Sequence, residues 1–277
     1  LGSIERAKAK GVYVGKALAR RVVWAPSDLR DGFGGKGLHP PRRLSFVGHG
    51  DFEATGREYL EHFKELGGLR PDARILDMGC GIGRMAIPLS GYLTEGSYAG
   101  FDVGREMVRW CQRRVSSRHP NFQFVWAPVY NRKYSPFGRI EASEFKFPFP
   151  DDSFDFIFAT SLFTHLVWSD ALHYLEEARR VLKPGGTWFG TFFVIDEAAE
   201  REIDAGRASM LFRHPVGELW TTHPGSPEDA IAYRPGDLQR LIDESGLSVR
   251  EPIHYGRWAN RPDGTAGQDI VIAGRAG

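Results

Sequence analysis

Cysteine is scarce in this chain of 277 residues, which has only Cys80 and Cys111. Two thiols cannot build a disulfide framework or a zinc cluster, and they point to a reducing, cytoplasmic setting. An excess of charge is missing too. Lys and Arg total 36 against 35 Asp and Glu, a formal net charge of +1, whereas polyanion binding by counterion release needs a concentrated cationic face. A nucleic-acid partner is therefore disfavoured. Nor does any apolar run approach the roughly 18 to 20 residues that cross a bilayer. The strongest, Phe154 to Leu166, is broken by Asp155, Thr160, Ser161 and His165, so no membrane partner is expected. The N-terminus lacks a secretory apolar region, and Leu1-Gly2-Ser3 reads as the remnant of a trimmed tag. Internal repeats and long low-complexity tracts are absent as well.

What is present is the material of an α/β domain. From Ala73 onward, short apolar runs alternate with amphipathic stretches, the βαβ pattern of a parallel sheet covered by helices. Strands are expected at roughly 74–78, 97–101, 122–126, 154–159 and 187–195, with boundaries good to about 2–4 residues. Helices are expected over Gly83–Tyr92, Glu106–Ser117 and Ser169–Leu182. In the last of these, Ser169 or Asp170 can cap the start, and Pro184-Gly185-Gly186 stops the chain after Leu182. A helix over Asp196–Gly206, an aperiodic stretch to 234, a helix over Pro235–Ser245 and two strands, Leu247–Tyr255 and Asp269–Ala273, complete the chain. The final pair suits an antiparallel edge. Upstream, residues 1–45 are basic, Gly-rich and weakly periodic, so a mobile arm is expected before an amphipathic helix over Asp51–Leu66. The division is thus an arm or lid over 1–50 and one α/β domain over 51–277, with insertions at about 127–145 and 196–234.

The sharpest chemical signal is Asp77-Met78-Gly79-Cys80-Gly81-Ile82-Gly83-Arg84, which ends the first strand. Three alternate glycines let the main chain turn tightly and approach a ligand with no Cβ in the way. The second strand then ends on Phe101-Asp102, where a carboxylate can accept both ribose hydroxyls. These two features describe an adenosine site. A dinucleotide fingerprint would need a third glycine where Arg84 stands, so the pyrophosphate reading weakens.

The Asp77-x-Gly79-x-Gly81-x-Gly83 spacing resembles the motif of class I S-adenosylmethionine-dependent methyltransferases. Phe147-Pro148-Phe149-Pro150-Asp151-Asp152-Ser153-Phe154-Asp155 is similar to that family's lead-in to strand four. Arg180-Val181-Leu182-Lys183-Pro184-Gly185-Gly186 is similar to its turn into strand five, and Gly267-Gln268-Asp269-Ile270-Val271 to its last strand. The resemblance covers about residues 70–275. It implies a Rossmann-like, doubly wound, mostly parallel seven-stranded sheet with an antiparallel C-terminal edge strand, and S-adenosyl-L-methionine as cofactor. By the same resemblance Gly79, Gly81 and the neighbouring backbone, including Cys80, Gly83 and Val103, meet the cofactor. Asp77 helps to hold its ammonium, Asp102 its ribose, and Thr160 lies near the transferred methyl. The family often carries an acidic residue after strand three for the adenine amino group. Here an apparent insertion intervenes, and Ser143, with its neighbour Glu144, falls nearest that position.

His165, just past strand four, is the candidate general base for O-methylation, because a neutral imidazole near pH 7 can take the proton of an attacking hydroxyl. The competing reading is a histidine that only packs or caps. Alignment and exclusion of water carry most of methyl transfer, so a base is not obligatory. No metal site is expected. Cys80 lacks a C-x-x-C partner and reads as a small residue, and the aromatic-basic run Trp126–Arg139 reads as a loop. Phe52, at the start of its helix, is placed to shield the cofactor from water. The expectation is O-methylation of a small molecule such as a sugar or natural-product scaffold. Small-molecule N-methylation, RNA methylation, a non-catalytic adenosylmethionine binder and a nicotinamide oxidoreductase remain as alternatives.

Overall fold

The computed structural model describes residues 3–34, 38–44, 51–250 and 252–276. In chain order, the elements of the first half are α1 (Ser3–Gly34), α2 (Phe52–Glu65), β1 (Arg74–Met78), α3 (Ala86–Tyr92), β2 (Ser97–Asp102), α4 (Arg105–Cys111) and β3 (Phe122–Trp126). There follow β4 (Phe154–Ala159), α5 (Trp168–Val181), β5 (Leu182–Phe192), α6 (Glu197–Asp204), β6 (His214–Val216) and β7 (Leu219–Thr221). The chain closes with β8 (Ile231–Ala232), α7 (Pro235–Glu244), β9 (Ser248–Val249) and β10 (Asp269–Gly274). Seven strands make one sheet in the order β3-β2-β1-β4-β5-β10-β9, and β6-β7-β8 make a second. Within the large sheet β2 and β3 pair parallel, as do β1, β4 and β5, while β10 runs antiparallel to both β5 and β9. The parallel strands β1 and β4 are buried almost throughout. Burial on both faces is why they read as continuous apolar runs rather than alternating ones.

The chain divides into two compact units, one of Leu1–Leu60 with Gly79–Phe145 and the other of Glu61–Met78 with Lys146–Gly277. In the first, the weakly periodic arm is instead a helix of 32 residues. Over residues 5–25, where burial is described, only a narrow strip including Ala9, Tyr13 and Ala17 is covered, so the apolar residues there do not settle on one buried face. Asp51 starts α2 by accepting a hydrogen bond from the Ala54 amide at 2.8 Å. The helix expected from Gly83 begins only at Ala86, because Gly83 sits at φ +80°. α4 ends early in a π-helical turn, Gln112–Ser116, where Gln112 donates to the Phe124 carbonyl at 2.9 Å.

The second unit is built around aromatic rings packed edge-on and tilted. Phe63 meets Phe156, Phe158 and Phe189 at centroid distances of 5.7, 4.4 and 4.9 Å. The expected Ser169 or Asp170 cap is absent: Val167 is the N-cap of α5 and no side chain caps it. The Lys183-Pro184-Gly185-Gly186 segment does not merely stop the helix. It already belongs to β5, through Leu182 paired with Phe154 and a register irregularity before Phe156. The expected strand 247–255 is reduced to Ser248–Val249 and one bridge, His254 with Ile270. The aperiodic stretch before residue 234 holds the small sheet, whose strands are too short to show a period. Arg180 staples the lead-in to β4, donating to Glu177, Asp151 and the carbonyls of Phe147 and Phe149. Among the described residues, no helix is long and apolar enough to cross a membrane.

Candidate active site

β1 runs directly into the glycine loop, whose Gly79, Gly81 and Gly83 all have positive φ, at 82°, 52° and 80°. L side chains rarely adopt this backbone, which is why glycine recurs at alternate positions. The amides of Gly79 and Cys80 both donate to the Phe101 carbonyl, at 2.9 and 3.0 Å, tying the loop to the end of β2. A Cβ on Gly83 would stand 3.2 Å from the sulfur of Cys111, whereas one on Gly81 would meet nothing within 4 Å. The loop is thus packed at Gly83 and open at Gly81. Both cysteines are buried and outside any disulfide, and the thiol of Cys111 contacts the Gly81 carbonyl at 3.9 Å. Gly100 supports the same loop, since a Cβ there would come within 2.8 Å of the Cβ of Cys80.

Asp102 closes this arrangement. Its Oδ2 accepts from the Gly81 amide at 2.8 Å and its Oδ1 from the Gly104 amide at 2.6 Å. Burial pushes the carboxyl above its ordinary pKa, while the amides of Gly104 and Gly81 pull it back. Each oxygen retains a second lone pair, enough for one hydroxyl apiece. The adjoining Val103 is half-buried, and its carbonyl accepts from the indole of Trp126 at 3.1 Å. Ser143 and Glu144 are exposed on the 3-10 turn Ala142–Glu144. The next residue, Phe145, is buried edge-on to Phe101 at 5.6 Å and so anchors that turn beside the end of β2. On the loop's other flank Phe52 packs with Leu44, Ile82 and Met107, and Arg84 lies over its ring at 5.4 Å. Gly56 admits this close approach of α2, because a Cβ there would fall 2.6 Å from the Arg84 carbonyl.

The remaining candidates lie in the second unit. Asp77 is buried on β1, in register with Phe158 of β4. Thr160 follows β4 and is half-buried. Ser161 has φ +57°, uncommon for a non-glycine residue. Its amide donates to the Thr191 hydroxyl at 2.7 Å, and the hydroxyls of Ser161 and Thr191 both reach Oε1 of Gln268, at 3.0 and 2.7 Å. His165 ends the 3-10 turn Phe163–His165, with Nδ1 2.8 Å from the Glu228 carbonyl. A carbonyl only accepts, so the proton of a neutral ring sits on Nδ1 and the basic lone pair on Nε2. Tyr233 is fully buried and its hydroxyl bridges the carbonyls of Phe163 and Leu166, at 3.1 and 3.3 Å. Sequence reasoning missed Gly100, Thr191, Gln268 and Tyr233, because each acts on residues distant in the chain.

A family model described as a methyltransferase domain matches residues 76–189. A 27-O-demethylrifamycin SV methyltransferase from Amycolatopsis mediterranei is 30% identical over 226 residues, covering 75% of this chain and 74% of that protein. The chain belongs to the class I S-adenosylmethionine-dependent methyltransferases. This methyltransferase is also 30% identical over 143 residues to a sterol 24-C-methyltransferase from Gibberella zeae, which is 50% of this chain. The match covers only 31% of that longer protein. Among solved structures, an S-adenosylmethionine-dependent methyltransferase from Aquifex aeolicus shares the fold, with a TM-score of 0.52 at 20% identity over 85% of this chain and 98% of that one. The nicotinamide alternative is thereby set aside, and the cofactor is S-adenosylmethionine. When bound, it supplies an electrophilic methyl on a positively charged sulfur. Open ground at Gly81 beside a carboxylate suits such a nucleoside, which carries no phosphate to place.

Proposed function

We propose that this methyltransferase transfers the methyl group to a hydroxyl of a small molecule, such as a sugar or natural-product scaffold, with His165 as general base. The observation that carries this reading is the Nδ1 contact to the Glu228 carbonyl, which assigns the basic lone pair to Nε2. An attacking alcohol must lose its proton, and a ring held in that tautomer can take it. The name of the rifamycin relative, which gives an O-demethylated acceptor, supports oxygen over nitrogen.

In this reading Asp102 takes the ribose hydroxyls of the cofactor and Asp77 its ammonium. The backbone of Gly79, Cys80, Gly81, Gly83 and Val103 meets its methionine and ribose parts. Ser143 and Glu144 border the adenine, and Thr160 the transferred methyl. Acceptor selectivity is assigned to the N-terminal arm, the 127–145 insertion, the 160–168 segment and the 207–234 insertion, the segments expected around the C-terminal strand edge.

The test pairs product chemistry with a variant. Native-host metabolite extract incubated with isotope-labelled cofactor is expected to yield a small molecule one methyl heavier, with fragmentation placing that methyl on oxygen. His165→Gln is expected to lower kcat by about 100-fold or more and to lose the acid limb of the pH–rate profile, with S-adenosylhomocysteine affinity unchanged. Full activity in that variant, or a methyl on nitrogen or carbon, refutes the proposal.

A further inference from the structure

We infer that the outer face of α1 is a docking surface for an anionic lipid bilayer, on which the protein lies without crossing it. The covered residues of this helix over 5–25 recur as Arg6, Ala9, Tyr13, Ala17, Arg20 and Trp24, a strip at helical spacing. That strip faces its own unit: Tyr13 packs edge-on to Phe137 at 6.2 Å, and Arg6 lies 4.2 Å over the Tyr130 ring and pairs with Glu141. The opposite face is apolar and exposed. Ala7, Gly11, Val14, Leu18, Val22 and Ala25, spaced by three and four residues, form one continuous ridge. Val12 and Val23 lie exposed on the flank between Lys8 and Lys16, and the exposure of these valines and the leucine runs from 45% for Val14 to 76% for Val22. Single exposed apolar side chains need no explanation, but five on one helix do.

Charge selects the occupant. The helical residues 5–25 and the turn 38–44 carry eight Lys or Arg and one Glu, although the whole chain is only +1; two of the eight, Arg6 and Arg21, are paired with Glu141 and Glu106. Lys8 and Lys16 border one side of the ridge, from which long stems can reach outward past buried valines, whereas on the other side Lys10 lies over the Phe137 ring and Arg21 pairs with Glu106. An apolar stripe edged by basic residues is the arrangement of a helix lying in the interface of an anionic membrane. A second copy of the chain would set two cationic helices face to face, and a nucleic acid would leave the valines in water. This surface departs from the expectation of no membrane partner, which concerned long apolar runs.

The test is co-sedimentation of the full chain with vesicles of phosphatidylcholine alone, or containing about a third phosphatidylglycerol. Binding is expected to the mixed vesicles at low salt, to weaken as salt rises, and to be slight without phosphatidylglycerol. L18E/V22E is expected to lower partitioning at least tenfold, and K8Q/K16Q by about fivefold for each lysine removed. Both pairs are exposed, so affinity for S-adenosylhomocysteine should remain, and it serves as the check on folding. Absence of sedimentation with the mixed vesicles, or equal sedimentation of wild type and both variants, overturns the inference. So does a concentration-dependent dimer of the wild type that L18E/V22E abolishes, since the ridge would then be covered by a second copy.

Discussion

Asp102→Asn keeps the shape of the side chain and removes its charge, which isolates what the carboxylate contributes to cofactor binding. The carboxylate offers about four lone-pair directions, of which the amides of Gly81 and Gly104 take two. The other two remain for a diol. An asparagine has one oxygen, and its amide must turn toward one of those two backbone donors. Hydrogen bonds to charged groups are worth about 1.5–3 kcal/mol each, so losing one and weakening the other is expected to cost about 2–4 kcal/mol in affinity, roughly 30- to 1,000-fold. The donor facing a donor adds about 1–3 kcal/mol of lost stability, which a melting curve of the cofactor-free protein reads separately. Titration calorimetry with S-adenosylhomocysteine measures the first quantity. It carries a second signature, in pH. Burial raises the pKa of this carboxyl, and only the ionised form accepts at all four positions. Wild-type affinity should therefore fall on acidification at a higher pH than an ordinary aspartate would give, and the variant should lack that fall. An affinity within about threefold of wild type, with the same pH dependence in both proteins, would refute the assignment of Asp102 to the ribose.

Gly81→Ala is expected to cost about 1–2 kcal/mol of stability through its positive φ, yet to weaken S-adenosylhomocysteine binding more than tenfold, since its Cβ would stand in the open ground; calorimetry beside a melting curve separates the two effects. Tyr233→Phe leaves the carbonyls of Phe163 and Leu166 without their shared donor, so kcat should drop while cofactor affinity stays, and a loss of cofactor affinity instead would show that the hydroxyl does not act through the His165 turn. Asp269 has a folded pKa pushed up to about 6 by burial, despite donors from Gly256, Val194 and Trp258, so its contribution is fully present below about pH 4 and is lost as pH rises through 6. That is about 3 kcal/mol, and urea unfolding should show the stability difference between wild type and Asp269→Asn shifting against wild type by that amount between pH 4 and 8; a flat difference, or the opposite trend, contradicts it.

The parts of this protein that could be read in its sequence are those whose causes are local. β1, β2 and β4 announced themselves because strands buried on both faces must be apolar throughout, and the edge strand β3 because Phe122 and Phe124 alternate with exposed or half-buried neighbours. The glycine loop did so because a run of positive φ leaves glycine little competition, and Asp102 because it ends the next strand. α1 was illegible for the converse reason. A helix that buries a narrow, partly basic strip and exposes its valines has no inward apolar stripe to detect, and Gly11 and Gly15 lower its helix propensity further. The small sheet escaped because two- and three-residue strands are shorter than any period.

The same distinction divides the site. His165 could be nominated from its position after β4, but whether its basic nitrogen is Nδ1 or Nε2 is decided by a carbonyl 63 residues away. The turn that carries it is held by a phenol 70 residues from Phe163, and the backbone of Ser161 by Thr191 and Gln268. The groups proposed for the cofactor thus lie in two short runs of sequence, the glycine loop and the end of the next strand, which a hydrogen bond from Gly81 to Asp102 joins. The groups nominated for acceptor chemistry are assembled from segments that meet only after folding. Substitutions at Thr191, Gln268 and Tyr233 should therefore change turnover and acceptor preference before they change cofactor affinity, whereas substitutions at Gly81 and Asp102 should do the reverse.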